Sequence, residues 1–341
     1  MTTTAHNIRL TASEIGILWT QYLMDSLAVC VMKYFIAKTE DTQIKTVLHT
    51  ARQLSQSHVQ KIETLFSQEG FPVPFGFTDK DVNVGAPRLY SDPSHLNYIK
   101  NMTKAGMVAY GLALSLSSRA DVRQHYLQCL KTSADLDDQA TQVMLSKGFY
   151  VRPPYITAPT HAEFIKNTDY LGTFFGQQRV LNCMEITHLF LNAQSNGFEK
   201  ALITGFSQVA HDVDVRDLFK RRVEIFNKHV EVMLVPLKES GIPGPMSVES
   251  DVFNSVVAPF SDKLMLFYAA VLNNMRLGFY AAAAGASLRA DVIADYARLS
   301  AELMKFGLEA IRLLINKGWA EEPPLFVDRK ELATSGKGSS Q

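Results

Sequence analysis

Two histidines stand at the same place in two copies of one segment: His58 heads HVQKIETLFSQEGFPVP and His229 heads HVEVMLVPLKESGIPGP. An imidazole on the inward stripe of a helix can ligate a metal or move a proton. The metal chemistry most often built into helical bundles takes a Glu from each of two helices and Glu-x-x-His from each of two others. Here the residue three before His58 is Ser55, and three before His229 is Phe226. Counting back from the preceding turns puts Tyr22 level with His58 and Ala193 level with His229, neither an acid. Glu14 and Glu185 are equivalent in the two copies, but each lies roughly 12 Å farther along its helix axis. Bonds to a shared ion are only about 2 Å long. No Asp or Glu occurs between Asn97 and Ser118 or between Leu264 and Ala290, and the inward stripes of the fourth helices carry no acid. The expectation is therefore no di-metal site in either half, no metal ligand set, no catalytic residue and no cofactor.

Without a metal, His58 and His229 read as neutral imidazoles hydrogen-bonded across the bundle, to Tyr22 in the first copy and to Asn192, Gln194 or Asn196 in the second. The sharper alternative makes each the marker of a small polar pocket, with Tyr22, Tyr126 and Tyr296 as the other ligand-binding candidates. Glu14 and Glu185 read as capping or solvent-facing acids. Asn273, Asn274 and Arg276 are polar for a core helix, so one side of that helix is expected to face the partner half or a cleft. The chain has no G-x-S-x-G, no G-x-x-x-x-G-K-[ST], no H-E-x-x-H and no G-x-G-x-x-G after a strand.

The elements that position these residues follow from period and punctuation. Thr11 to Glu14 has the form of a capping box, and Ile15, Leu18, Trp19, Tyr22, Ser26 and Val29 follow at helical spacing. Leu48, Ala51, Ser55, His58, Ile62 and Leu65 alternate steps of three and four, the seam of a bundle. A turn near residue 40 makes these two helices an antiparallel hairpin. A segment rich in Pro, Gly and Asp, Phe71 to Pro93, is read as a crossover to a second hairpin of helices from about Ser94 to Ser117 and Ala120 to Lys147. The unit then repeats: helices from Gln177 to Ala210, irregular near Gln194 to Gly197, and from Val213 to Ser240; a crossover from Gly241 to Ser261; helices from Lys263 to Ser287 and Ala290 to Lys317. Residues 1–154 and 177–326 are expected to be two four-helix bundles packed as a pseudo-dimer, with 155–176 a linker holding a short helix around His161 to Lys166, and 327–341 a frayed tail.

Bulk properties exclude other classes. At 341 residues the chain exceeds the size at which one core keeps growing. Lys plus Arg number 34 and Asp plus Glu 34, with no run of one sign, so no nucleic-acid face is expected. Cys30, Cys129 and Cys183 show no C-x-x-C spacing and read as buried reduced thiols. The start lacks a secretory pattern, and the apolar runs Ala105 to Leu116 and Leu277 to Ala286 fall short of the roughly 20 residues a membrane span needs. A cytoplasmic protein without membrane insertion is expected.

The punctuating motifs carry a resemblance. Gly70-Phe71-Pro72-x-Pro74 with Asp81-Val82, Arg119-Ala120-Asp121-Val122, and Gly148-Phe149-x-x-Arg152-Pro153-Pro154 each have a second copy. In these the chain resembles a tandem ferritin-like family of unknown function from endospore-forming bacteria, related to spore-coat ferritin-like proteins. The resemblance implies an all-α fold of two tandem ferritin-like four-helix bundles and a spore association. The leading functional expectation is a non-enzymatic structural or interaction protein that associates with itself or a protein partner. The alternative is a small-ligand or single-metal binding protein, or a minor oxidase, using the pockets around His58 and His229.

Overall fold

The computed structural model describes residues 8–173, 178–245 and 251–330, and the frayed tail expected at 327–341 lies mostly outside them. The first hairpin is α1 (Ala12–Lys38) and α2 (Thr42–Glu69), and the second is α3 (Asp92–Leu116) and α4 (Ala120–Ser146). The second unit repeats them as α5 (Cys183–Val209), α6 (Val213–Glu239), α7 (Asp262–Ala286) and α8 (Ala290–Asn316). Equivalent helices α1 and α5 are both 27 residues long, α3 and α7 both 25 and α4 and α8 both 27, while α2 has 28 and α6 27. Each unit is a four-helix bundle of two hairpins joined by a long crossover.

Local chemistry fixes the ends. Asp41 and Asp212 cap α2 and α6 by accepting from two backbone N–H groups each. Gly70 and its three counterparts at the ends of α4, α6 and α8 have φ between 69° and 72°, a left-handed turn that lets the next N–H reach back to the last helical turn. Gln194 to Gly197 lies within an unbroken helix, contrary to the irregularity expected there. The linker holds a 3-10 turn at Thr168–Leu171 in place of a helix at His161 to Lys166, and α5 starts at Cys183, later than expected.

The halves are joined by their crossovers. Val82 pairs antiparallel with Phe260, and Tyr90 with Val252. Asn83 N donates to Pro259 O at 2.8 Å and, equivalently, Phe253 N to Leu89 O at 2.9 Å. Ser261 N donates to Asp81 O, and Ser91 N to Asp251 O, both at 3.0 Å. These four backbone bonds form two mirror pairs under exchange of the copies, the signature of an isologous contact. Beneath this ribbon Tyr34, Phe35, Tyr90, Tyr98, Phe206, Phe260 and Tyr268 form one core shared by both units.

The interiors of both bundles hold charged side chains, beyond the acid-free stripes read for the fourth helices. Asp25, Glu199, Arg222 and Arg276 are all buried. α1 is by length and composition apolar enough to cross a membrane, which the uninterrupted runs did not reveal, but 67% of its most apolar window is buried inside the protein.

Candidate functional site

The first bundle encloses a cavity of about 430 Å³. It exists because four inward positions carry small side chains: Ala28 on α1, Ala51 and Ser55 on α2, and Gly106 on α3. The walls are apolar, with Met24, Met32, Met102 and Met275 among them, and they include the exposed Leu112. Val271, Asn274 and Met275 of α7 also line it, so the second unit contributes to the wall; of the polar residues read on that helix, Asn273 and Arg276 instead turn into their own bundle, onto Leu303 O and Glu199.

Polar groups gather at the α1, α2 and α4 side. His58 Nδ1 donates to Asp25 Oδ2 at 3.2 Å. His125 Nε2 donates to Gln21 Oε1 at 3.0 Å, and Gln21 Nε2 points at Cys129 Sγ, 3.6 Å away. Burial works against a charge on His58, but hydrogen bonds to Asp25 and Cys129 and the attraction of Asp25 outweigh it and push its pKa up to about 10. His125, buried and repelled by His58, drops to about 4 and stays neutral. Chemically this is an internally neutralised ion pair beside a neutral imidazole and a thiol. Among the described residues no group of three or more His, Cys, Asp or Glu is arranged to hold a metal.

The second bundle fills the same volume. The residues equivalent to Ala28, Ala51, Ser55 and Gly106 are Glu199, Arg222, Phe226 and Arg276, all buried. Arg276 is paired with Glu199 and also donates to Asn192 Oδ1 at 3.2 Å. Arg222 stacks on Phe226 and Phe306 with no hydrogen bond from either terminal nitrogen, and burial lowers its pKa to about 10. His229 meets the hydroxyl of Tyr280 at 3.0 Å, which in turn accepts from Asn196 at 2.8 Å. Burial and the nearby Arg222 lower its pKa to about 4. The void beside Tyr296 is only about 10 Å³.

A model of a family of proteins of unknown function, DUF3231, matches residues 1–161 and again 170–332. The chain belongs to the DUF3231 family. A solved structure of a candidate spore coat protein from Bacillus halodurans is similar at 22% identity with a TM-score of 0.41, over 44% of this chain and 98% of that one. No curated protein matches.

The repeated motifs of this DUF3231 chain are joints. Arg119 forks onto Asp121 and reaches Glu69 at 2.5 Å, while Arg289 forks onto Asp291 and reaches the carbonyl of Arg179 at 3.0 Å. Both turns rest on a buried acid: Glu14 accepts from Ser118 N and Arg119 N, each at 2.8 Å, and Glu185 from Leu288 N and Arg289 N at 3.1 and 3.0 Å. Each also closes a capping box on its own helix. Neither faces solvent, since both are 0% exposed. Burial would raise the Glu14 pKa, but donation by Thr11, Arg119 and Ser118 holds it near 2, and Glu185 is likewise lowered, with Arg179 adding a bidentate ion pair. Lys147 and Lys317 each meet the Asp capping α2 or α6 at 2.6 Å.

Of the candidate ligand residues, His58 and Tyr126 line the cavity, while Tyr22, His229 and Tyr296 do not. Tyr22 donates to Glu63 at 3.0 Å, away from His58, whose partner is Asp25 one turn on. His58 is charged rather than neutral. His229 turns to Tyr280 on α7, and the expected Asn196 is reached through that hydroxyl. Cys183 is exposed, since it opens α5 where the linker leaves it uncovered; Cys30 and Cys129 are buried. Asp25, Gln21 and His125 went unread because α1 and α4 bury wider arcs than one seam. Aligning the copies position by position carried the signal, with four small residues set against four large ones.

Proposed function

We propose that this protein binds one small, largely apolar molecule in its first bundle, with the second bundle as a filled, rigid support. The observation that carries this is the cavity of about 430 Å³, within the roughly 300–1,000 Å³ of small-molecule sites, set against its filled counterpart. An apolar space of that size loses dispersion contacts that an occupant restores. Titration with the apolar fluorophore N-phenylnaphthylamine tests it. Saturable binding of one molecule per chain is expected, abolished in Ser55→Phe, which copies the second bundle's Phe226. No saturable binding to the wild type would refute the reading.

A second reading, a structural or interaction role, is favoured by α8. Met304, Leu308, Ile311 and Ile315 form a stripe 44–60% exposed, where α4 has Ala134, Asp138, Thr141 and Leu145. An uncharged stripe is self-complementary in an antiparallel pair, so the partner we infer is a second copy of the chain. Sedimentation should show a dimer that Leu308→Glu makes monomeric, and a wild-type monomer at high concentration would dismiss it. Assembly of this kind accords with a spore-coat setting, for which the family resemblance is the support.

A further inference from the structure

Among the described residues, two hydroxyls in the cavity lining are buried without a hydrogen-bond partner, that of Tyr98, whose ring packs against Tyr268, and that of Tyr126. Tyr126 is 1% exposed, and its hydroxyl has no hydrogen-bond partner among the described residues. In the filled bundle the equivalent Tyr296 hydroxyl accepts from Asn192 Nδ2 at 3.4 Å. Gln21 replaces Asn192 in the first bundle, but its amide is turned to His125 and Cys129. A buried hydroxyl left unsatisfied is costly, and the cavity is the side from which a partner can come. Burial also raises the Tyr126 pKa well above the usual phenol range, so the group is a neutral donor.

The walls then select charge. Among the described residues lining the cavity, the side chains charged near neutral pH are Asp25 and His58, and they are paired with each other. A bound carboxylate would face Asp25 with no cation left to neutralise it, and a bound ammonium would compete with His58 for one carboxylate. A neutral acceptor takes the Tyr126 hydrogen without either penalty. The four methionines along the walls are flexible and polarisable, and suit a flexible chain more than one rigid outline.

We infer that the occupant is a neutral, mainly aliphatic molecule whose carbonyl oxygen accepts a hydrogen bond from Tyr126, an inference that rests on the ligand-site reading above. Calorimetric titration of the full chain with methyl decanoate and with decanoate tests it, on the wild type, Tyr126→Phe and Ser55→Phe. The ester should bind one per chain, about ten-fold more tightly than the anion. Tyr126→Phe removes only the unpaired oxygen and should weaken the ester about five-fold while leaving N-phenylnaphthylamine, which has no oxygen, unchanged. Decanoate binding as tightly as the ester, or an unaltered ester affinity in Tyr126→Phe, with the fluorophore still bound, would overturn the head-group assignment and leave the site standing. No binding of any probe would remove the site itself.

Discussion

The two bundles share a backbone plan and differ in what fills them. At matching positions the first holds Ala28, Ala51, Ser55 and Gly106 around an open volume, and the second holds Glu199, Arg222, Phe226 and Arg276. The joints kept their common parts: the Glu14 and Glu185 anchors, the Arg–Asp forks and the Lys–Asp ties occur in both, and the Arg179 pair is an addition on Glu185. Contacts that hold helix ends together are therefore separable from contacts that fill the middle. A duplicated bundle can change its interior while its ends keep the geometry constant.

The largest effect should come from the shared joints. Glu185→Ala strips the acceptor from Leu288, Arg289 and Asn182 and leaves Arg179 without a carboxylate, held by the carbonyls of Tyr170 and Val180, and should cost about 3–5 kcal/mol. Glu14→Ala, with no arginine on its carboxylate, should cost less. Chemical denaturation of both variants measures the gap, and equal losses would mean that the Arg179 pair adds nothing. Next is the charge in the filled half. Arg222 is buried without a hydrogen bond from its terminal nitrogens beside an Arg276–Glu199 pair that is already neutral. Arg222→Met should stabilise by about 1–3 kcal/mol, read as a raised denaturation midpoint; a loss would show that stacking on Phe226 and Phe306 outweighs desolvation.

Filling the hollow half should act more weakly. Ser55→Phe should raise stability by about 0.5–2 kcal/mol while abolishing fluorophore binding, and a lowered melting temperature would mean that the cavity wall cannot accept the ring. The contrast extends to pH dependence, where the two histidines should have opposite signs. His58 is raised from 6.5 to about 10, so its stabilising protonation is fully present below pH 6.5 and lost as pH rises toward 10. His229 is lowered from 6.5 to about 4, so its contribution is present above 6.5 and lost as pH falls toward 4. Melting curves across pH for His58→Asn and His229→Asn should each lose one limb of this dependence, and parallel profiles would break the contrast.

The hairpins, the crossovers and most helix ends were legible because they depend on near neighbours in the chain. Thr11 with Glu14 closes the capping box its spacing announced, and the glycines after α2, α4, α6 and α8 turn the chain where the helical pattern stops. The site was legible only in part. His58 and Tyr126 stood out by type and period, but Asp25 sits one position off the seam read for α1, a helix apolar around most of its circumference that packs on several neighbours. Glu14 had the spacing of a cap, and nothing local showed that its second oxygen would hold a turn formed by Ser118 and Arg119.

By itself the sequence determined that there are two copies of one helical unit and where most helices begin and end, since periodicity and capping act within a few residues. The tertiary structure alone decided which copy is hollow, that His58 is charged and His229 neutral, and that Tyr126 keeps an unpaired hydroxyl. Those properties are set where four helices meet, by the sizes and charges of side chains far apart in the chain.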